Sequence, residues 1–295
     1  MNRLVYAKSY LSTINPILIV AVVTWLLLMI AVPIQRWLWG DDALPLGLSL
    51  GVIAQVTAVA MIVITAWGMR RAVMTLALVV CMGWFVEYIG SKTGFPFGTY
   101  NYTELLQPQL GGVPLLIPLA WLMMMPSSWA VAACIVPDRH SFANKVKFVG
   151  VAALAFTAWD LFLDPQMVSW RLWTWENLPA LNYFGIPFSN YLGWLLASGL
   201  ITTVVCIVNR WFEVGRPAGS LLQHDERATR SLSRMDTGLE GMVVPLLIIY
   251  AITWLLQTGG LLCFWGLPGP ALVGFIGMGI MLLWAVYVRR SDRVR

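Results

Sequence analysis

The sequence predicts an all-α, multi-pass integral membrane protein that forms a single membrane domain over residues 1–295. Composition is the first reason. The chain is 59% hydrophobic and only 11% charged, whereas soluble domains carry about 25% charged residues. The second reason is that the hydrophobic residues form long runs, and a transmembrane helix needs roughly 20 mostly apolar residues. So much apolar surface suits a bilayer better than the core of one globular domain.

Eight segments have the length and composition of membrane-crossing helices. In chain order they are about 14–34, 45–67, 72–89, 113–136, 147–164, 190–211, 241–257 and 268–288. The fifth and seventh are short for this purpose, and the seventh contains Pro245, so an arrangement of seven helices stays open. The connecting segments are too small to be soluble domains, and the longest, about 212–240, is predicted to be a cytoplasmic loop.

The distribution of basic residues predicts the orientation, because Lys and Arg are enriched in loops on the cytoplasmic side. With eight helices, sixteen of the 19 Lys and Arg residues fall on one side of the membrane, and Arg36, Lys92 and Arg171 fall on the other. We therefore expect both termini in the cytoplasm, which seven helices would not allow. We also expect a multi-pass protein of the cell membrane, in a bacterial plasma membrane, and no nucleic-acid partner.

Two connections on the side with few charges are rich in aromatic residues. Residues 90–112 and 164–190 combine Trp, Tyr and Phe with Gly, Pro, Asn and Thr. Aromatic residues often anchor a protein at the membrane interface, but anchoring does not explain the interleaved polar and turn-forming residues. Non-helical backbone at membrane depth is tolerated only where protein or a cavity covers it. We expect ordered loops that form a wall over a pocket.

Three ionisable residues fall inside the apolar segments and are the candidate catalytic residues: Glu87, Asp160 and Asp164. The third and fifth helices cross the membrane in the same direction, so the three carboxyl groups should reach a similar depth. Asp160 and Asp164 are four residues apart and share a helix face. Glu87 shares its face with Gly83 and Gly90, which permit close approach of a neighbouring helix or a ligand. Ionisable groups within membrane helices are costly and usually functional.

Each carboxyl group also has a structural interpretation that the sequence leaves open. The role of Asp164 could be limited to a hydrogen bond with the turn at the end of its helix, since Pro follows it. Asp160 could form an ion pair with Arg171 or Lys92, and Glu87 could link two helices. All three being structural together is the less economical interpretation, because carboxyl groups are expensive in apolar surroundings.

Carboxyl groups among aromatic rings suit chemistry on an alkene. A carboxyl group in apolar surroundings tends to stay neutral and can donate a proton, while aromatic faces stabilise a carbocation. The cation could then capture water or lose a proton. Other chemistries lack their parts: both histidines lie in predicted inner loops, the four cysteines have no metal or redox spacing, and nucleotide-binding motifs are missing. We expect no cofactor and no metal.

One metal alternative needs separate mention. The Asp160-x-x-x-Asp164 spacing would also allow binding of Mg²⁺ and a diphosphate, as in membrane prenyltransferases. That chemistry needs a second acidic motif and several basic residues at the same face. This face offers only Glu87 and the three scattered cations.

Four motifs follow one another along residues 80–195. In order they are Glu87-x-x-Gly90-x-x-Thr93-Gly94-x-Pro96-Phe97-Gly98-x-Tyr100-x-Tyr102, Trp159-Asp160-x-x-x-Asp164-Pro165-x-Met167, Trp173-x-Trp175, and Gly185-Ile186-Pro187-x-x-Asn190-x-x-Gly193-Trp194. This series resembles the carotenoid-biosynthesis membrane family that includes the carotenoid 1,2-hydratases and bisanhydrobacterioruberin hydratase. The flanking helices resemble the family only in hydropathy.

The resemblance implies a hydro-lyase that needs no cofactor and adds water to the terminal C1=C2 double bond of an acyclic carotenoid (C40 or C50). Asp160 or Glu87 would protonate C2, and Asp164, with Asn190 and Thr93, would position and deprotonate the water. The expected substrate-binding residues are Thr93, Tyr100, Asn101, Tyr102, Trp159, Trp175, Asn190 and Trp194. A polyene dissolves in membrane lipid, so the site should open sideways to the bilayer.

Other carotenoid-biosynthesis enzymes are the expected protein partners. Two different functions also stay open. A lycopene-type cyclase would begin with the same protonation and then quench the cation with a neighbouring alkene. A non-catalytic carotenoid-binding or transport protein would not need three converging carboxyl groups.

Overall fold

The computed structural model describes residues 16–139, 141–211 and 226–292, and only the backbone of 226–240 and 292. Within these ranges, eight helices are long and apolar enough to cross a membrane. They are α1 (Pro16–Trp39), α2 (Leu44–Trp67), α3 (Met69–Thr93), α4 (Leu116–Ile135), α5 (Phe142–Ser169), α6 (Phe188–Val208), α7 (Glu226–Cys263) and α8 (Pro268–Asp292). The all-α class and the count of eight are therefore confirmed. A short 3₁₀ turn, Asp41–Ala43, leads into α2.

Eight crossings bring the start of α1 and the end of α8 to the same face of the bundle. Which face is cytoplasmic stays a prediction from the basic residues. Residues 1–15 and 212–225 lie outside the described residues. Residues 212–225 make up about the first half of the predicted cytoplasmic loop. In the rest of that loop, the backbone of 226–240 is helical and continues into α7. This stretch is rich in helix-forming residues and contains no proline.

Helix α5 also continues past its predicted end at residue 164, with Pro165 inside the helix. Proline lacks the N–H that would bond the carbonyl group four residues earlier, at Leu161. The hydroxyl group of Tyr183 donates a hydrogen bond to this Leu161 carbonyl oxygen at 3.1 Å. The missing bond is thus replaced from a loop, which is how membrane helices tolerate proline. Asp164 therefore lies inside a helix and not at a helix end.

The core of the bundle lies around α4 and α5. These helices have the largest share of buried residues among the eight, whereas α1 is peripheral and packs mainly on α2. The large side chains Trp121 and Trp129 of α4 and Phe156 and Trp159 of α5 are at most 1% exposed. The two central helices therefore hold their inward side chains in a fixed, closely packed setting.

Short β-ribbons fill the loops at one end of the bundle, which we call the loop end. The strands are β1 (Tyr100–Tyr102), β2 (Gln109–Leu110), β3 (Val113–Pro114), β4 (Trp173–Trp175), β5 (Asn182–Tyr183) and β6 (Ile186–Pro187). They pair antiparallel as β1–β4, β2–β3 and β5–β6. The β1–β4 ribbon joins the loop after α3 to the loop after α5, with Tyr100 opposite Trp175 and Tyr102 opposite Trp173. The prediction of ordered loops is confirmed.

Candidate active site

Glu87 is held by three hydrogen-bond donors from two parts of the chain, a β-strand and a neighbouring helix. The residue lies on α3 and is 4% exposed. The hydroxyl groups of Tyr100 and Tyr102 donate to its Oε2 at 2.6 and 2.7 Å. The indole Nε1 of Trp121, on α4, donates to Oε1 at 3.0 Å. Both carboxyl oxygens therefore have partners, and every partner is a donor.

The alternation of a β-strand explains why two tyrosines reach Glu87 while the residue between them does not. Side chains one residue apart on a strand point to opposite faces. Tyr100 and Tyr102 point inward from β1, and Asn101 is exposed and donates to Glu176 Oε1 at 2.6 Å. Burial first, and then the charge of Glu87, raise the pKa of both phenols above the ordinary tyrosine value. The two tyrosines therefore stay neutral donors.

Asp160 and Asp164 form a second polar group together with Asn190 from α6. Both aspartates are at most 2% exposed, and they lie one turn apart on α5. The amide Nδ2 of Asn190 donates to Asp160 Oδ2 at 3.0 Å and also to Asp164 Oδ2. Trp173, on β4, donates from Nε1 to Asp164 Oδ1 at 3.2 Å. Among the described residues, Asp160 Oδ1 has no hydrogen-bond partner.

No basic side chain pairs with these carboxyl groups in the described ranges. The ion pair of Asp160 with Arg171 or Lys92, which was one structural interpretation, is not formed. Lys92 instead lies over the ring of Tyr88, with Nζ 5.9 Å from the ring centroid. The hydrogen bonds to Glu87, Asp160 and Asp164 thus come from neutral donors.

An apolar cavity of about 370 Å³ lies between the two polar groups. Glu87, Asp164 and Asn190 provide polar side chains in its wall, and most of the remaining wall is aromatic or aliphatic. Asp160 is not part of the wall. It lies behind Asn190, which lines the cavity and donates a hydrogen bond to it. The predicted residues Tyr100, Tyr102, Trp159, Trp175 and Trp194 also line the cavity. The loops therefore do form the predicted wall over a pocket.

The structure does not bring Thr93 and Asn101 to this cavity. Thr93 ends α3, where its hydroxyl group donates to the carbonyl oxygen of Ile89 at 2.8 Å and accepts from the backbone N–H of Phe95 at 3.1 Å. This is a local turn contact that any Thr at a helix end can make. Asn101 points away because it follows Tyr100 on the strand. Their expected role in binding substrate has no support from their positions.

Close approach to both glycines near Glu87 is observed, by helix α4 at Gly83 and by the loop after α3 at Gly90. A Cβ atom at Gly83 would lie 3.3 Å from the Trp121 side chain, and one at Gly90 would lie 3.0 Å from the hydroxyl oxygen of Tyr100. Glycine at these positions allows the donors to come near Glu87. Trp121 and Trp173 are the two site residues that the sequence did not single out for a role. Trp173 stands in the Trp173-x-Trp175 motif, whereas a tryptophan in an apolar helix such as Trp121 gives no signal.

The fold and the site together define a class: a multi-pass membrane protein whose buried carboxyl groups border an aromatic cavity within the bundle. Such a cavity suits a lipophilic ligand. The chain belongs to the carotenoid biosynthesis protein family, whose sequence profile matches residues 47–281. Family membership places the protein in carotenoid biosynthesis.

One curated relative shows how far the similarity extends. Bisanhydrobacterioruberin hydratase of Haloarcula japonica is 29% identical over 132 residues, which cover 44% of this chain and 43% of that protein. The matched region is thus less than half of either protein. No solved structure matches the chain.

Proposed function

We propose that the protein is a carotenoid hydratase of the cell membrane, in a bacterial plasma membrane, that adds water across the terminal C1=C2 double bond of an acyclic carotenoid without a cofactor. One observation carries the proposal: two carboxyl sites of different character border the same aromatic cavity. One site is suited to hold a negative charge, and the other is suited to hold a proton.

The Glu87 site favours the charged carboxylate. Three donors converge on its oxygens, and a carboxylate accepts hydrogen bonds without donating any. A neutral carboxyl group would have to donate to one of the two tyrosine oxygens, whereas the carboxylate accepts from all three donors as the structure has them. A fixed negative charge beside the cavity would stabilise a carbocation that forms there.

The aspartate pair favours a single shared proton. Two carboxylates that share one amide donor repel each other when both are ionised. A proton held between them removes this repulsion and can be given to a substrate. Asp164 borders the cavity and Asp160 does not, so Asp164 is the better donor to the substrate. This differs from the expectation that Asp160 or Glu87 is the acid.

In the proposed reaction, Asp164 gives its proton to C2 of the terminal double bond. The π electrons form the new C–H bond, which leaves a tertiary cation at C1. Aromatic faces such as those of Trp175 and Tyr102 shield the cation, and Glu87 balances its charge. Water adds to C1, and its surplus proton returns to the aspartate pair. The sum is alkene plus water to tertiary alcohol, with the protein unchanged.

Access from the bilayer supports a membrane-dissolved substrate. The cavity wall includes Ile30 and Ile34 of α1 and Leu255 of α7, which are each about half exposed on the outside of the bundle. In a bilayer this surface faces lipid. A polyene could therefore pass sideways between α1 and α7. The relative from Haloarcula japonica is named a hydratase, which supports the same reaction class.

The proposal is tested by expressing the full chain in lycopene-producing bacterial cells and analysing the carotenoids by mass spectrometry. Hydration adds the mass of one or two water molecules, and we expect this product. A cyclase would leave the mass unchanged and shift the absorption spectrum. A binding or transport protein would change neither. Either of these two results would overturn the hydratase proposal.

Two variants test the assigned carboxyl groups. Asp164→Asn and Glu87→Gln should each lower product formation by about a hundredfold, the size expected when a positioned proton donor or charge is lost. The matched controls Asp42→Asn and Glu104→Gln change exposed residues at the same loop end and should retain full activity. Full hydration by Asp164→Asn would exclude Asp164 as the acid.

A further inference from the structure

A third polar group lies in the wall of the same cavity, away from the carboxyl groups. Gln55 is near the middle of α2, is 3% exposed and lines the cavity. Its neighbours in the wall include apolar residues such as Val52 and Leu48. A carboxamide in such a place is unusual, because burying an amide without full hydrogen bonding is costly.

The Gln55 carboxamide is only partly satisfied by the protein. Its Nε2 donates to Thr253 Oγ1 on α7 at 3.3 Å and contacts the sulphur of Met124 on α4 at 3.3 Å. Its Oε1 accepts no hydrogen bond from the described residues. Buried acceptors of this kind nearly always have a partner. The cavity is therefore the direction from which a partner for Oε1 can come.

Trp25 has an unused donor and lies at the same level of the bundle as Gln55. A Cβ atom at Gly51 of α2 would lie 2.9 Å from the Met29 sulphur of α1. The two helices are antiparallel. Gln55 is one turn after Gly51 on α2, and Trp25 is one turn before Met29 on α1, so Gln55 and Trp25 lie at the same level. Trp25 is fully buried, lines the cavity, and its indole Nε1 has no partner among the described residues.

We propose that Gln55, Thr253 and Trp25 form a second binding site in the cavity, the Gln55 site, which binds a hydroxyl group of the polyene ligand. A hydroxyl group both donates and accepts, so it can donate to Gln55 Oε1 and accept from Trp25 Nε1. If the carboxamide turns over, the hydroxyl group can accept from Nε2 instead. A plain hydrocarbon end can do neither.

The depth of the site sets where this hydroxyl group lies. Met124, which contacts Gln55, follows Trp121, which bonds Glu87, by three residues on α4. Three residues of helix rise by about 4.5 Å. The Gln55 site is therefore roughly one helical turn farther from the loop end than the Glu87 site. The two sites are close enough to hold only one end of a polyene, so the hydroxyl group bound here is the one at an end that is already hydrated, and in this the inference rests on the proposed function.

The test is a binding measurement that needs no turnover. The purified full chain in detergent micelles is titrated with lycopene and with 1-hydroxylycopene, and quenching of tryptophan fluorescence gives the two dissociation constants. We expect the wild type to bind the hydroxylated polyene about threefold to tenfold more tightly, as for one net hydrogen bond. Gln55→Met, of similar shape, should abolish this preference and leave lycopene binding within about twofold of wild type.

Controls keep the outcome decisive. Gln107→Met changes an exposed glutamine at the loop end and should keep the preference. If Gln55→Met does not elute as a folded protein, Trp25→Phe, which removes the indole donor and keeps an aromatic ring, decides instead by losing or keeping the preference. Equal binding of both polyenes by the wild type, or an unchanged preference in the deciding variant, would overturn the Gln55 site.

The outcomes also separate this inference from the proposed function. A chain that hydrates lycopene but shows no preference for the hydroxylated polyene would keep the hydratase proposal and exclude the Gln55 site. A preference without any hydration product would keep the site and exclude the hydratase.

Discussion

Tyr102 and Trp173 face each other across the β1–β4 ribbon, and each donates a hydrogen bond to a different buried carboxyl group. The Tyr102 hydroxyl group bonds Glu87 on α3 at 2.7 Å, and the Trp173 indole bonds Asp164 on α5 at 3.2 Å. Their ring centroids are 5.8 Å apart in an edge-to-face arrangement. One pair of loop residues thus positions carboxyl groups from two helices, and a change in either residue should affect both sites.

Replacing Tyr102 by Phe should therefore lower hydration while leaving the fold intact. The variant removes one of three donors to Glu87, so the charge beside the cavity is less stabilised, and we expect a rate about tenfold lower. The measurement is the initial rate of hydrated product in membranes from lycopene-producing cells. Tyr88→Phe is the matched control, because Tyr88 stacks on Trp84 outside the cavity. An unchanged rate in Tyr102→Phe would show that this hydrogen bond has no part in the reaction.

A titration can check that the two tyrosines stay neutral. Burial, and then the charge of Glu87, raise the pKa of Tyr100 and Tyr102 above the ordinary value. A raised pKa means that the phenols keep their protons as the pH rises through about 10, where unperturbed tyrosines ionise. The folded wild type and a Tyr100→Phe, Tyr102→Phe double variant should then show the same phenolate absorbance at pH about 10.5. After unfolding at that pH, the wild type should show the larger absorbance; an excess already in the folded state would contradict the expectation.

The number of helices could be predicted because it depends on one-dimensional properties. Apolar length and charge alternation defined eight segments without knowledge of their contacts. Helix ends were less predictable where a distant residue decides them. Pro165 marks a helix end by local rules, yet the helix continues because Tyr183, in the loop after this helix, bonds the free Leu161 carbonyl oxygen. A contact between residues 22 positions apart is not visible in local sequence.

In the candidate site, too, some residues could be predicted from local sequence and others depended on distant contacts. Glu87, Asp160 and Asp164 were predictable because carboxyl groups are rare in apolar segments. Asn101 was expected to bind substrate beside Tyr100, and the pairing of β1 with β4 decides otherwise by turning it outward. The chemical character of a residue does not by itself determine whether its side chain faces the cavity or the outside. The pairing of its strand determines this.

Phe97 provides a third prediction, because its ring lies between glycines of two helices. A Cβ atom at Gly90 on α3 or at Gly193 on α6 would lie 2.6 Å from this ring. Gly90→Ala and Gly193→Ala should therefore each lower the free energy of unfolding by about 1–3 kcal/mol, the usual cost of overpacking. Gly150→Ala is the control, since Gly150 lies in helix α5 and its Cβ would meet no atom within 4 Å. Thermal unfolding in detergent measures all three, and the idea fails if Gly150→Ala is as damaging as the other two.

The bond from Tyr183 to the Leu161 carbonyl oxygen can be tested by a double-mutant cycle with Pro165. Tyr183→Phe removes the donor and should destabilise the protein by about 1 kcal/mol, since it leaves a partly buried carbonyl oxygen without a partner. Pro165→Ala restores a backbone N–H that can bond the same oxygen within the helix. In the Pro165→Ala background, Tyr183→Phe should then cost clearly less, and the difference is the coupling between the two residues. Equal costs in both backgrounds, measured by urea or thermal unfolding in detergent, would mean that Tyr183 does not replace the hydrogen bond that Pro165 removes.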